Sequence, residues 1–454
     1  MIEIVRDAAI LEGYARDASG LRSVPEGLVR ATSAREVVEL MLETAADGTA
    51  VTPAGAQTST TGASIAARGI LLSLRPMDRI LDIDSAARRV VVEPGVLLGD
   101  LNRALAAEGV FFAPDPTGDE TSTVGGAIAC NASGPRTLVY GATRSHVEAI
   151  TVVLADGSTR EFRRPLVEKN TAGYAPAHDL VDWFVGSEGT LGVVVSAELR
   201  VLAKPARETG LGIPLPSFAA AVAFVRAARA SSLITPRCLE YFDAEAFRIA
   251  RAGTGGGAWG QDGQVMIYAE DCSAGDLPLD DWLALAEAHG AVDADLRVFE
   301  GDAAIREARR LRHAVPAAMH ERAAPMLARG GRRISTDWAV PLARVEEAVT
   351  LANSLAAAAG TQPAVTYGHL GNGHPHQNFI AADAEDVVVH EAVVERTLRA
   401  VIAMGGTVAA EHGIGKLKAR WLGLQATPSQ VALMRAAKHE FDPSGRLAPG
   451  NVLG

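Results

Sequence analysis

The sequence predicts a multidomain α+β fold, and three observations support that prediction. The chain has 454 residues, 48% of them hydrophobic, which is enough to bury a substantial core. Short β-branched runs separated by glycine-rich turns dominate residues 49 to 202. Alanine- and arginine-rich helical stretches alternate with isolated strands over residues 206 to 404. Regions that differ in this way are typical of the α+β class.

A helix is predicted near the N-terminus, over residues 33 to 46. Ser33 and Glu36 have the spacing of a capping box, in which each side chain bonds the other residue's backbone N–H. Val37 and Leu40 then fall on one helical face.

The strands predicted after this helix are short and rich in β-branched residues. They lie at residues 80 to 84, 88 to 96, 148 to 162 and 190 to 199, and one further along at 264 to 270. Asp156 and Gly157 stand where a tight hairpin turn would divide the third of these runs. Leu97, Leu101 and Leu105 recur every four residues and predict one helix among the strands.

The charge balance and the cysteines exclude several functional classes. The chain carries 43 basic and 54 acidic side chains, a formal net charge of −11, so no basic surplus exists to bind nucleic acid. Cys130, Cys238 and Cys272 are odd in number and widely spaced, as expected for reduced thiols in a cytoplasmic protein. Three thiols cannot ligate a four-cysteine iron–sulfur cluster. Neither a secretory signal nor a transmembrane segment is predicted.

Three donor-rich turns in the N-terminal half are suited to an anionic cofactor. They lie at residues 51 to 66, 114 to 134 and 186 to 194. Small residues let backbone N–H groups approach a phosphate, and hydroxyl groups add further donors. Neither a dinucleotide-binding GxGxxG motif after a strand nor a P-loop is present.

A histidine-rich segment, TYGHLGNGHPHQNF, spans residues 366 to 379. Its glycines and proline make a helix improbable. If the segment curls, His369 and His376 can reach one ion, whereas an extended segment places His374 and His376 on one face. Geometry alone favours the second pair, His374 with His376, and leaves the first as the alternative.

The order of motifs PDP, TVGGAIACNASG and YGATR, followed by GSEGTLGVV, resembles the vanillyl-alcohol-oxidase class of flavoproteins. The match covers residues 51 to 199, and the whole chain resembles its branch of D-lactate, D-2-hydroxyglutarate and glycolate dehydrogenases. The resemblance implies a two-subdomain FAD-binding domain over residues 1 to 204. It further implies an α+β substrate-binding cap domain with an antiparallel sheet over 205 to 404. A short helical C-terminal region, 405 to 454, would return to the FAD domain and complete the active site.

The cofactor implied by the resemblance is FAD, held non-covalently because the first donor-rich loop contains no His or Cys. The candidate FAD contacts are Pro53, Gly55, Gln57, Thr58, Ser59, Gly62, Pro114, Asp115, Thr117, Thr121, Ser122, Thr123, Gly125, Gly126, Asn131, Gly134, Tyr140, Gly141, Glu188, Gly189, Leu191, Gly192, Val194 and Asn451.

The resemblance also implies a metal and a substrate site. The family's His-x6-His and Glu-His-Gly-x-Gly elements place a divalent ion, Zn²⁺ or Mn²⁺, on His369, His376 and Glu411. They make His412 the general base. Its substrate-binding positions correspond to Arg312, Arg333 and Asn378. Where the family usually has Asp-Gly-Asn, this chain has Asn372, Gly373 and His374.

The implied activity is oxidation of a small D-2-hydroxy acid, of the lactate, 2-hydroxyglutarate or glycolate type, to the 2-oxo acid. The expected electron acceptor is a quinone, a cytochrome or an electron-transfer flavoprotein. The sequence leaves open whether the protein is a homodimer and whether it lies peripherally at the inner face of the membrane. One alternative is a non-redox flavin enzyme that resembles an ether-lipid synthase. Another is a non-catalytic FAD-binding subunit of a dehydrogenase complex.

Overall fold

The computed structural model describes residues 2–116, 118, 120–167, 169–252, 259–273 and 275–454. The chain divides into two compact units. Unit 1 comprises Met1–Gly134, Tyr140–Lys204 and Glu411–Gly454, and unit 2 comprises Pro135–Val139 and Pro205–Ala410. The domain boundaries expected from the sequence, after residues 204 and 404, stay predictions.

Helices are distributed over both units. They are α1 (Ala8–Glu12), α2 (Ala34–Ala45), α3 (Leu98–Ala107), α4 (Val124–Cys130), α5 (Thr137–Tyr140), α6 (Ala175–His178), α7 (Val181–Phe184), α8 (Phe218–Ala230), α9 (Ala244–Ala252), α10 (Leu279–Ala288), α11 (Gly301–Ala323), α12 (Val345–Ala358), α13 (Ala384–Ala403), α14 (Leu422–Gln425) and α15 (Pro428–Phe441). Over the described ranges, no helix combines the length and apolar character that a bilayer crossing requires.

Unit 1 contains two main sheets and one short strand pair. Its strands are β1 (Gly27–Arg30), β2 (Val51–Ala54), β3 (Ile70–Ser73), β4 (Ile80–Asp84), β5 (Arg89–Val92), β6 (Val110–Phe111), β7 (Val147–Val153), β8 (Thr159–Arg163), β9 (Val193–Arg200) and β10 (Leu202–Ala203). Strands β1, β3 and β2 form a parallel sheet in that order. A five-stranded antiparallel sheet has the order β4-β5-β9-β7-β8, and β6 pairs with β10.

The structure confirms where the sequence predicted the start of α2, the hairpin turn and the leucine-rich helix of unit 1. The Ser33 side chain accepts a hydrogen bond from the Glu36 N–H at the start of α2, but the Glu36 carboxylate bonds Thr32 instead of closing the capping box. Strands β7 and β8 form the expected hairpin, with Gly157 at φ +80° in its turn. Helix α3 occurs where leucines recur every four residues, although Leu97 is its N-cap.

Unit 2 is built on one seven-stranded antiparallel sheet. Its strands are β11 (Thr209–Leu215), β12 (Pro236–Phe242), β13 (Val265–Asp271), β14 (Arg297–Glu300), β15 (Gly330–Ser335), β16 (Val365–His369) and β17 (His374–Asp383). The order is β14-β11-β13-β12-β16-β17-β15. Phe247, Met266 and Leu311 belong to a core formed with α9 and α11. The predicted α+β class, with an antiparallel sheet in the second region, is confirmed.

A buried ion-pair cluster joins four segments of unit 2. Glu270 on β13 accepts hydrogen bonds from Arg136 at 3.0 Å and from Arg237 at 2.9 Å, and Arg237 also donates to Glu208 at 3.1 Å. Burial opposes ionisation of Glu270, but the two guanidinium groups hold its pKa well below the usual range. The cluster therefore places a permanent negative charge between buried arginines.

Replacing Glu270 with glutamine should destabilise unit 2. The change removes the Glu270 carboxylate from Arg136 and Arg237, although Glu208 stays beside them, and breaking a buried ion pair costs about 3–5 kcal/mol. Urea denaturation should show this as a lower midpoint. The matched control is Glu245→Gln, which breaks exposed pairs with Arg248 and Arg322 and should cost less than about 1 kcal/mol. Equal losses for the two variants would contradict the prediction.

Candidate functional site

A cavity of about 240 Å³ in unit 1 is surrounded by the three donor-rich turns. The candidate cofactor residues that line it are Pro53, Gly55, Gln57, Thr58, Ser59, Ser122, Thr123, Gly125, Gly126, Glu188, Gly189, Gly192 and Val194. Glu411 and His412 line the same cavity. One concave surface thus joins the phosphate-binding signals to the proposed base.

The first turn packs closely on the second. A Cβ atom on Gly55 would lie 2.1 Å from the Thr123 Oγ1 atom, so only glycine fits there. Thr58 and Ser122 hydroxyls lie 3.3 Å apart. Among the described residues, the backbone N–H groups of residues 56 to 60 donate no hydrogen bond to another protein group. Unused donors around a cavity fit a diphosphate cofactor.

Other candidate cofactor residues lie outside the cavity lining. These are Gly62, Pro114, Asp115, Thr121, Asn131, Gly134, Tyr140, Gly141, Leu191 and Asn451, and Thr117 lies outside the described residues. Asn131 ends α4 in the left-handed conformation, and its side chain accepts from the Arg144 N–H at 2.9 Å. Asn451 donates to Ala63 O and Glu188 O. These two asparagines therefore have structural hydrogen bonds of their own.

Glu188 anchors the segment that carries the proposed base. Its carboxylate accepts the Ile414 N–H at 2.6 Å and the Gly415 N–H at 2.8 Å. Burial raises the pKa of Glu188, and the two backbone donors oppose this rise. Gly415 approaches Thr61 so closely that a Cβ atom would lie 2.3 Å from the Thr61 carbonyl oxygen. The chain from 412 to 415 is thus held against the cavity wall by Glu188 and Thr61.

The three neighbouring histidines of unit 2 meet in a β-hairpin. His369 ends β16 and is the cross-strand partner of His374, the first residue of β17. His374 and His376 are two residues apart and therefore share a face of the strand. All three are buried, and the ligand nitrogens of the set lie within 4.8 Å of one another. The hairpin thus combines both pairings that the sequence left open.

Hydrogen bonds fix the ring orientation of two of these histidines. His369 Nδ1 donates to the buried Glu240 carboxylate at 2.7 Å, and His376 Nδ1 donates to the Thr336 carbonyl at 3.1 Å. In both rings Nε2 therefore carries the lone pair. Arg312 makes a long 3.5 Å contact with His369 Nε2. Metal-binding histidines commonly have their second nitrogen engaged in this way.

His374 has a buried ring nitrogen whose hydrogen bonding is incomplete. Within the described residues, its Nε2 forms no hydrogen bond, although the Asp337 carboxylate lies 3.2 Å away. Burial and the adjacent His376 lower the pKa of His374 to about 4, against the opposing effect of Asp337. The ring is therefore neutral at pH 7, which is the form that binds a metal ion.

Arg312 and Arg333, the two predicted substrate-binding arginines, have different surroundings. The Arg312 guanidinium pairs with Glu240 at 2.9 Å, so its charge is already balanced. Arg333 donates to Asn378 at 2.9 Å, to Tyr367 at 3.3 Å and to His320 at 3.0 Å. Among the described residues it forms no salt bridge. An arginine whose partners are all neutral retains its charge for an anionic ligand.

Neutral partners around Arg333 are maintained by burial. Burial raises the pKa of the Tyr367 hydroxyl, which remains protonated. Burial and the charge of Arg333 lower the pKa of His320. Asn378 lies on β17 opposite Ser335, and its Nδ2 donates to the His376 carbonyl at 3.3 Å. Asn378 therefore connects Arg333 to the histidine hairpin.

Two residues in this arrangement were not identified from the sequence. Glu240 orients His369, and Asp337 lies beside His374. Glu188 was predicted as a cofactor contact, but its hydrogen bonds to the segment after His412 were not. Glu240 does leave a sequence signal, because it and Arg237 are charged residues in a strand, β12, whose other residues are apolar. Asp337 leaves no signal in the sequence that separates it from an ordinary turn residue.

Comparison with known proteins gives two family matches. Residues 25–163 match the FAD binding domain, and residues 204–452 match the C-terminal domain of FAD linked oxidases. An alkyldihydroxyacetonephosphate synthase structure superimposes with a TM-score of 0.76 at 18% identity, covering 98% of this chain and 83% of that one. The fold is therefore the vanillyl-alcohol-oxidase type, as predicted.

Three relatives extend over nearly the whole chain. A D-lactate dehydrogenase of Anaerostipes hadrus is 30% identical over 94% of this chain and 89% of its own length. Glycolate oxidase subunit GlcD of Bacillus subtilis is 29% identical over 97% and 92%. A D-2-hydroxyglutarate dehydrogenase of Xanthomonas citri is 30% identical over 100% and 94%. The chain belongs to the family of FAD-linked oxidoreductases defined by these two domains.

Proposed function

We propose that this protein oxidises a small D-2-hydroxy acid to the 2-oxo acid with FAD as the electron acceptor. The observation that carries the proposal is the position of His412 in the wall of the cavity formed by the donor-rich turns. The relatives named as lactate, glycolate and 2-hydroxyglutarate enzymes support the substrate class. We propose that FAD is held non-covalently and passes its electrons to a separate acceptor.

His412 is proposed to act on the substrate hydroxyl. The C2–H bond can break with its electron pair only as the hydroxyl proton leaves, and an imidazole is a suitable acceptor for that proton near neutral pH. Glu188 and Thr61 hold the chain beside His412, which limits the motion of the base. When bound, FAD supplies the two-electron acceptor and a divalent ion supplies Lewis acidity.

We propose His369, His376 and Glu411 as metal ligands, with Zn²⁺ or Mn²⁺ as the ion. Unit 2 supplies two buried imidazoles with their lone-pair nitrogens oriented by Glu240 and Thr336. Glu411 is included because the Glu-His-Gly-x-Gly element of the resemblance places this carboxylate directly before the proposed base.

We propose that Arg333 binds the substrate carboxylate and that Asn378 positions Arg333. The guanidinium group is surrounded by neutral partners, so a carboxylate would complete its charge balance. Arg312 is proposed to act nearer the metal, because its Nε bond to Glu240 ties it to the residue that orients His369.

Arg333→Met should raise the KM for the hydroxy acid by roughly 10²-fold, because a charged hydrogen bond to the carboxylate is lost. The kcat should change less. Stopped-flow measurement of flavin reduction against substrate concentration separates the two constants. Arg332→Met is the matched control, because Arg332 precedes Arg333 on β15 and projects to the opposite face, where it pairs with Glu391 at 2.5 Å. An unchanged KM in Arg333→Met would exclude this carboxylate contact.

Anaerobic titration of the purified protein tests the proposed function as a whole. The flavin absorbance should bleach with one of D-lactate, D-2-hydroxyglutarate or D-glycerate, or with glycolate, and not with the L-enantiomers. An ether-lipid synthase-like enzyme would hold reduced flavin without accumulating oxo acid over many turnovers. A non-catalytic FAD-binding subunit would retain an oxidised flavin spectrum with every acid, and this result would overturn the proposal.

A further inference from the structure

We infer that His374 is a third imidazole ligand, so that unit 2 binds a divalent ion through three nitrogens and prefers Zn²⁺ or Co²⁺ to Mn²⁺ or Mg²⁺. This inference rests on the metal site of the proposed function and narrows the choice of ion. It concerns a residue that neither the family resemblance nor the comparisons mark as a ligand.

The pairing of β16 with β17 is enough to bring the three imidazole rings together. The ring centroids of His374 and His376 are 4.3 Å apart, and each lies 5.3 Å from the ring of His369. His369 lies beside His374 because the two are cross-strand partners. His376 lies on the same face as His374 because side chains two residues apart on a strand point to the same side. A set fixed by strand register is rigid, as a metal site requires.

Each of the three histidines offers one ring nitrogen to a set whose members lie within 4.8 Å of one another. Glu240 and Thr336 occupy the Nδ1 atoms of His369 and His376, which leaves Nε2 with its lone pair. His374 Nε2 is buried and forms no hydrogen bond with any described residue. The Asp337 carboxylate lies 3.2 Å from this nitrogen but is poorly aligned with it, so the contact yields less than a full hydrogen bond, and coordination to an ion would compensate for this.

A simpler explanation would make His374 the partner of Asp337 in a buried pair. The two atoms are 3.2 Å apart, but their geometry does not form a hydrogen bond. Meanwhile Asp337 also anchors the chain, since its carbonyl accepts the Ala410 N–H. The hydrogen bond to Ala410 accounts for the position of Asp337. A pair with Asp337 does not account for the packing of the His374 ring on two other imidazoles.

Three imidazoles change the ion that the site should prefer. Imidazole nitrogen suits Zn²⁺ and other borderline ions, whereas Mg²⁺ and Mn²⁺ favour oxygen ligands. With Glu411 as the fourth ligand, three imidazoles give the four-ligand nitrogen and oxygen set that suits Zn²⁺, and zinc can expand to five ligands when a substrate oxygen binds. An asparagine at position 374 would offer an amide oxygen instead and would favour a harder ion.

Metal binding to the purified, FAD-containing protein tests the inference without any turnover. After removal of metal by a chelator, Co²⁺ binding is followed by its visible absorption at wavelengths beyond the flavin bands, and Zn²⁺ and Mn²⁺ affinities by competition. The wild type should bind Zn²⁺ far more tightly than Mn²⁺. His374→Asn should lower Zn²⁺ affinity by about 10–100-fold or more and lower Mn²⁺ affinity less.

The matched control is His390→Asn. His390 is also buried and donates from Nδ1 to the Asp386 carbonyl at 2.8 Å. It lies on α13, where its ring packs on Phe379 of β17 and not on the three histidines. This variant should bind Zn²⁺ like the wild type. Unchanged Zn²⁺ affinity in His374→Asn, or equal affinity of the wild type for Zn²⁺ and Mn²⁺, would overturn the inference.

X-ray absorption of the zinc-loaded wild type gives a second measurement that does not depend on a variant folding. Its imidazole scattering should correspond to three rings, and a fit to two rings would overturn the inference. Flavin bleaching by D-2-hydroxy acids is scored separately on the same protein. Zinc bound by three imidazoles without any bleaching would support this inference and reject the proposed function. Bleaching with a two-imidazole site would do the reverse.

Discussion

His412→Gln should slow reduction of the flavin by a D-2-hydroxy acid by roughly 10³-fold, because general base catalysis typically contributes 10²–10⁴. Glutamine keeps a polar side chain of similar length but cannot take up a proton near pH 7. The Glu188 hydrogen bonds to residues 414 and 415 involve only backbone donors, so they persist in the variant. Single-turnover stopped-flow measurement of flavin bleaching gives the rate directly.

A control variant must separate this chemical loss from damage to unit 1. His439→Gln serves, since His439 is exposed on α15 and does not line the cofactor cavity. Both variants should retain the FAD spectrum after gel filtration. A rate in His412→Gln within about tenfold of the wild type would fall below the contribution expected of a general base and would reject His412 in that role.

Local signals in the sequence predicted most of the individual elements. The Asp156–Gly157 turn, the capped start of α2 and the apolar run of β13 each depend on residues a few positions apart. Such features follow from backbone preferences and periodicity, which are visible in one short window. The strand order of the seven-stranded sheet is different, because β12 pairs with β16 across more than a hundred residues.

In the candidate site, too, local features were predicted from the sequence and long-range contacts were not. The histidine spacing was visible, but the hairpin that unites both alternative pairs depends on the register of β16 and β17. The supporting acids were harder to find, because Glu240 and His369 are 129 positions apart. Arg312 and Arg333 looked equivalent in the sequence. Only the tertiary contacts show that Arg312 is paired with a carboxylate and that Arg333 has neutral partners.

Removal of the divalent ion should be the other change with a large effect. Chelation, or the variant His369→Gln, should reduce the rate of flavin bleaching by roughly 10²–10³-fold, since a metal ion contributes several kcal/mol to such a reaction. Glutamine at 369 retains a hydrogen-bond donor for Glu240, which is buried and also bound to Arg312. The stability of unit 2 should therefore change little, as urea denaturation can verify.

Restoration distinguishes loss of the ion from loss of the fold. Added Zn²⁺ should return the chelated wild type to its original rate, and it should fail to rescue His369→Gln at the same concentration. The buried His390, which lies outside the hairpin, provides the comparison, because His390→Asn should be inactivated by the chelator and rescued by Zn²⁺ like the wild type. Full activity of the exhaustively chelated protein would mean that His412 and Arg333 suffice, and the three buried imidazoles would then need another explanation.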